Sequence, residues 1–75
     1  MKIDSKSFNV LIKINGEDKP IPQDISILKL LEIYKINPDR VVIELNRKIL
    51  KRDRLETLLL KENDEIEIIT FVGGG

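Results

Sequence analysis

The stretch DEIEIITFVGGG, residues 64–75, decides how the rest of the chain is read. Over 64–72 it alternates in period two, with Ile66 and Ile68 facing one way and Glu65 and Glu67 the other, the pattern of a half-buried strand. Three of the chain's four glycines, Gly73, Gly74 and Gly75, follow at once. Without a Cβ, none of them restricts φ or blocks close approach, so the run presents the least obstructed α-carboxylate a polypeptide can have. If 72–75 form a flexible tail that runs extended, it reaches roughly 13 Å past the body at about 3.3 Å per residue. Such a tail fits a partner's active-site channel, which makes Gly75 the candidate reactive residue and Val72, Gly73 and Gly74 its approach. The competing explanation is a frayed or appended terminus, since glycine-rich ends are common in both.

A closing strand needs a sheet, and the other strands are legible outward from it. Residues 8–14 (FNVLIKI) place Phe8, Val10, Ile12 and Ile14 on one strand face. Asn15-Gly16 is the hairpin signal, because both central positions of a type I′ turn need φ > 0. The returning arm 17–22 carries Pro20 and Pro22, which confine it to a short or edge strand that covers little core. Ser26 then caps a helix over 27–35, with Ile27, Leu30, Leu31 and Tyr34 at i, i+3, i+4 and i+7 and Asn37-Pro38 ending it.

Residues 41–45 (VVIEL) form a strand with Val41, Ile43 and Leu45 inward, Asn46-Arg47 a turn and 48–50 a short return. Residues 51–61 (KRDRLETLLLK) read as a loop with one helical turn that drops Leu55 and Leu58 onto the core. A first hairpin, one crossing helix and a last strand returning beside the first bury one amphipathic helix on a small mixed sheet. The expected fold class is therefore α+β, a β-grasp. It spans 1–75 as one domain, with 1–7 as an N-terminal extension and 72–75 as the tail.

Size and composition narrow the functions. A chain of 75 residues buries only about 60% of its unfolded surface and has no room for a deep catalytic pocket. Thirteen basic residues balance thirteen acidic ones, which removes the positive field that nucleic acid or an anionic membrane would favour. With no Cys there is neither a disulfide framework nor a thiol nucleophile, and a reducing, cytoplasmic setting is expected. The first residues, MKIDSKSFNV, lack a secretory apolar region, and no run approaches the roughly 18 apolar residues of a membrane span.

With neither His nor Cys, the common general base, the commonest nucleophile and zinc-ligand spacings are all missing, so the chain is read as a carrier or module and not an enzyme. Glu65 and Glu67 have the spacing of paired acids but match an ordinary solvated strand face better. The run Lys51 to Arg54 has an internal acid and reads as a solvated loop before a phosphate grip. No phosphate-cradling pattern is present, so neither cofactor nor metal is expected on this chain, and any ATP binds elsewhere.

The terminal carboxylate is left by elimination. Adenylation would convert it into an acyl phosphate anhydride, and the next nucleophile decides the function. Sulfide or a persulfide would make Gly75 a thiocarboxylate, whereas a lysine amine would make the protein a covalent tag. Leu11, Ile69 and Phe71 fall on the outward phase of their strands, a candidate apolar patch beside the tail for the partner to hold.

Residues 14–18 (INGED), 41–46 (VVIELN) and 60–75 (LKENDEIEIITFVGGG), with the helix between them, resemble the ThiS-like sulfur carriers of thiamine biosynthesis, which are ubiquitin-like β-grasp proteins. INGED alone carries little weight; the strand pattern together with a last strand entering Gly-Gly is specific as a set. The resemblance implies an ATP-using adenylating enzyme, related to ubiquitin-activating enzymes, that converts the Gly75 carboxylate to a thiocarboxylate. It also implies a thiazole synthase that takes the sulfur. Gly74 and Gly75 carry over as the functional pair, with Gly73 as upstream tail.

The chain departs from the family at 1–7, which is additional, and at Arg47 and Asn63, turn positions where the family favours Gly. The small subunit of molybdopterin synthase shares fold and tail, so molybdopterin or tRNA thiolation stays open as the sulfur's destination. A ubiquitin-like lysine modifier and a plain β-grasp interaction module also stay open.

Overall fold

The computed structural model describes residues 9–71. The inward placement of Phe8, the 1–7 extension and the tail from Val72 through Gly75 lie outside the described residues.

The chain forms β1 (Asn9–Ile14), β2 (Glu17–Pro22), α1 (Ile27–Ile33), β3 (Val41–Leu45), β4 (Lys48–Ile49) and β5 (Glu65–Thr70). The strands make one mixed sheet in the order β2-β1-β5-β3-β4. The last strand lies at its centre, parallel to β1 and antiparallel to β3. This is the expected α+β, β-grasp architecture. No helix among the described residues is long and apolar enough to cross a membrane.

Period-two alternation sends Ile12 and Ile14 of β1, Ile43 and Leu45 of β3 and Ile66 of β5 to one face, where Ile27, Leu30 and Leu31 of α1 cover them. Each fully buried aliphatic side chain contributes about 1.5–3 kcal/mol relative to exposure. The second arm of the hairpin does more than its prolines suggest. β2 runs six residues along the sheet edge, and its Ile21 is 2% exposed within the core. Pro20 and Pro22 restrict backbone pairing but leave the alternation of side chains intact.

The first hairpin closes as expected, with Asn15 and Gly16 at φ 50° and 85° between the pair Ile14 and Glu17. Asn46 and Arg47, at φ 51° and 73°, close β3 onto β4 in the same way, so the arginine accepts the left-handed region. β4 is one residue shorter than expected, although the Leu50 N–H still donates to the Ile43 carbonyl at 2.9 Å.

Helix α1 starts at the expected cap, the Ser26 hydroxyl accepting from the Lys29 N–H at 3.0 Å. It ends two residues earlier than its apolar spacing predicts. Lys35 turns left-handed at φ 59°, its N–H donates to the Glu32 carbonyl at 3.0 Å, and the Ile36 N–H donates to the Leu31 carbonyl at 2.8 Å. That pair of bonds is a Schellman closure, with a lysine where glycine is usual. The closure leaves Tyr34 at the cap and exposed, not on the buried stripe. Pro38 does not stop the helix. It opens a 3₁₀ turn, Pro38–Arg40, capped by the Asn37 side chain.

The loop 51–61 contains the expected single turn, a 3₁₀ segment Arg52–Arg54, and lowers Leu55 into the core with Leu58 packed against it. Leu60 is also buried, at 1% exposure, fixed by its N–H donating to the Ile25 carbonyl at 2.8 Å. Arg52 pairs with Asp39 and joins this loop to the 3₁₀ turn before β3.

Candidate partner face and tail base

β5 carries the site, because in the sequence only Phe71 and Val72 separate its far end from the glycines. On one side it is held along its length by β3: Val41 to Leu45 pair with Thr70 to Ile66 in register. Past the last ladder pair, the Phe71 N–H still donates to the Arg40 carbonyl at 2.9 Å. On the other side β1 accompanies β5 only through Ile14 opposite Ile66. There the chain turns away at Asn15, whose side-chain amide takes over. Its Oδ1 accepts from the Ile68 N–H at 2.7 Å and its Nδ2 donates to the Ile68 carbonyl at 3.4 Å.

The start of β5 is anchored by a second asparagine. Asn46 Oδ1 accepts from the Glu65 N–H at 2.9 Å, and its Nδ2 donates to Asp64 Oδ1 at 3.1 Å. Asp64 is 4% exposed, and its other oxygen accepts from the Lys61 N–H at 2.9 Å. The carboxylate thus closes the turn led by left-handed Asn63, at φ 71°, and Asp64 belongs to that turn instead of the strand expected from 64 onward. Both asparagines tolerate φ > 0 and also supply a rigid amide, which accounts for their residue type at these turns.

On the sheet's uncovered face, Val42 lies opposite Ile69 and Glu44 opposite Glu67. Ile69 and Phe71 are 45% and 51% exposed, in keeping with their outward phase. Leu11 is likewise 44% exposed, but it is not beside them. Its carbonyl accepts from the Asn63 N–H, at the beginning of β5. Ile69 is six positions further on, roughly 20 Å along a strand at about 3.3 Å per residue. The expected three-residue patch therefore splits, with Ile69 and Phe71 at the tail base, joined by Val42, and Leu11 at the opposite end. Val42 was legible: inward Val41 and Ile43 force it outward, and only the β3–β5 register was needed to place it against Ile69.

Between the two ends the face is a charged concavity of about 430 Å³ lined by Lys13, Glu44, Arg47, Glu65 and Glu67. Glu65 and Glu67 are exposed there, as a solvated strand face would be. Lys13 donates to Asp18 at 2.7 Å, and that hydrogen bond, followed by the charges of Asp18 and then Glu65, raises its pKa above the ordinary lysine value.

The geometry therefore offers a doubly anchored central strand whose last described residue, Phe71, stands at one edge of an apolar and acidic face. The ThiS family matches residues 8–75, a span that takes in the glycine run. The Sulfur carrier protein ThiS of Bacillus subtilis is 33% identical over 66 residues, covering 87% of this chain and 100% of that protein. The Uncharacterized protein ycf40 of Pyropia yezoensis is 39% identical over 67 residues, 89% of this chain and 94% of its own. A Thiazole synthase of Magnetococcus marinus is 31% identical over 64 residues, 85% of this chain but only 20% of the synthase. Among solved structures, the thiamine biosynthesis protein (ThiS) of Geobacter metallireducens superposes with a TM-score of 0.77 at 26% identity, over 88% of this chain and 100% of that one. The UBL domain of yeast Ddi1 superposes with a TM-score of 0.54 at 19% identity, over 99% of this chain and 100% of that one, a likeness of fold alone.

Proposed function

The chain belongs to the ThiS family of sulfur carriers, small carrier proteins and not catalysts, and from that premise we propose that Gly75 carries sulfur as a C-terminal thiocarboxylate for the thiazole of thiamine. The supporting observation is that the family match, residues 8–75, takes in the glycines, which follow in sequence two residues after a strand held at the sheet's centre. In the first step the Gly75 carboxylate attacks the α-phosphate of ATP on a partner adenylating enzyme and pyrophosphate leaves. In the second, sulfide adds to the acyl carbon, the C–O bond to AMP breaks and AMP leaves, so that the added sulfur remains on Gly75 as the thiocarboxylate. ATP is the partner's ligand and not this chain's. Two adjacent positions without Cβ let the partner close around the backbone and exclude water from the adenylate.

Thiazole synthase as recipient is supported by relatives of that name that contain a segment similar to this chain within a much longer polypeptide. The apolar group Val42, Ile69 and Phe71 gives either partner a hold at the tail base, so that binding to the body aligns the tail before chemistry.

The test is reconstitution of the purified chain with ATP, a sulfide source and the adenylating enzyme of its host, read by intact mass. An AMP adduct, and then exchange of one oxygen for sulfur at the C-terminus, is the expected result. Failure of the wild-type chain to become adenylated while the same enzyme activates another carrier contradicts the proposal.

A further inference from the structure

The two sides of β5 are unequal at the tail base. Residues 65, 67, 69 and 71 direct their backbone groups to β3, as the Asn46 and Phe71 bonds show. Residues 64, 66, 68 and 70 direct theirs to the β1 side: Lys13 N–H donates to the Asp64 carbonyl and Asn15 N–H to the Ile66 carbonyl, both at 2.9 Å. The Asn15 amide satisfies Ile68, and Thr70 is next in that series. Among the described residues nothing pairs with the Thr70 N–H or C=O on this side, and Thr70 is exposed. β1 cannot fill the place, because it has turned back into β2. Asn9, where β1 begins, lies toward the far end of the sheet, where β5 starts.

We propose that the open edge at Thr70 receives an extended segment of the enzyme that activates Gly75, adding a strand in line with β1 just beyond the Asn15 amide. A donor and an acceptor displayed at ladder spacing are complementary to extended backbone, the mode of recognition by strand addition. The flanking side chains define the segment further. On the uncovered face it meets Ile69, with Val42 behind, and two positions earlier Glu67. An apolar residue over Ile69 and a basic one over Glu67 fit that face. Thr70 is five residues from Gly75, roughly 17 Å of extended chain at about 3.3 Å per residue, so pairing there sets how deep the carboxylate enters the partner. Strand register is fixed by such bonds, whereas apolar contacts alone let a glycine tail slide.

This inference rests on the carrier function proposed above, and the experiment separates the two. Amide hydrogen exchange is followed by NMR on the full chain, free and bound to the adenylating enzyme of its host without ATP. Thr70→Pro and Thr70→Val are compared in the adenylation assay. Proline at 70 removes the edge donor without breaking a β3 bond, and valine keeps the donor. In the complex the Thr70 amide becomes protected. Thr70→Pro raises KM about tenfold, the worth of one backbone hydrogen bond, with kcat kept, while Thr70→Val behaves as wild type. Should Thr70→Pro unfold, an amide-to-ester replacement at residue 70 in synthetic protein makes the same comparison. An unprotected Thr70 amide in a complex that still supports adenylation of the wild type overturns strand addition and leaves the carrier function standing. A wild-type chain that the enzyme neither binds nor adenylates overturns both.

Discussion

Asn15 acts as a peptide group toward Ile68. Its side-chain oxygen accepts from the Ile68 N–H at 2.7 Å and its side-chain nitrogen donates to the Ile68 carbonyl at 3.4 Å, one rung past the point where β1 leaves β5. The same residue begins the hairpin at φ 50°. Asn15→Gly keeps the turn and removes the rung, so it is expected to cost about 1 kcal/mol by urea denaturation, with faster exchange of the Ile68 amide. Asn15→Ala adds left-handed strain and is expected to cost about 1–2 kcal/mol more. Equal stability of the glycine variant and the wild type would show that the rung contributes nothing.

Lys35 and Arg47 occupy left-handed backbone at φ 59° and 73°. Lys35→Gly and Arg47→Gly should each stabilise the chain by about 0.5–1 kcal/mol, raising the urea midpoint at unchanged slope. A fall in midpoint would mean that the side chains contribute more than the strain costs.

The leucines of 58–60 are chemically alike and differ in burial. Leu60, at 1% exposure, should cost about 2–5 kcal/mol when replaced by Ala, whereas Leu59, at 51%, should cost under about 0.5 kcal/mol. Thermal or chemical denaturation of both variants checks the ranking, and a reversal would place the wrong leucine in the core.

Lys13 titrates above the ordinary lysine value because Asp18 accepts its hydrogen bond and neighbouring carboxylates favour the charge. A raised folded-state value favours the folded chain while the lysine is protonated. That contribution is present through neutral pH and is lost as pH rises through the folded pKa. Asp18→Asn should move the Nζ titration seen by NMR back toward ordinary lysine. No movement would remove Asp18 as the cause.

Most of the fold was legible because its signals are local. Alternation placed Ile12, Ile14, Ile43 and Ile66, Asn15-Gly16 fixed the first turn, and Ser26 fixed the start of the helix. The errors arose where tertiary contacts outweigh pattern. Lys35 closed the helix without glycine, Ile21 packed inward between two prolines, and Leu60 was buried by a backbone bond to Ile25 that no periodicity marks. At the site, single-strand phase showed that Leu11, Ile69 and Phe71 point outward. Only the parallel register of β1 on β5 shows that Leu11 sits at the other end from Ile69. The Asn15 amide had no sequence signal separate from its turn.

Deletion of Gly75 should abolish activation in the adenylation assay, while a Leu60→Ala chain that remains folded should keep the reactivity of its carboxylate. Activation retained after deletion of Gly75 would contradict the assignment of the reactive group to the terminal residue.

The intact mass of the protein recovered from its native host tests the central claim most directly. A population in which one C-terminal oxygen at Gly75 is replaced by sulfur, lost on deleting the gene for the adenylating enzyme, is the predicted result. An unmodified carboxylate under thiamine demand, or branched peptides joining Gly75 to lysines of other proteins, would contradict it.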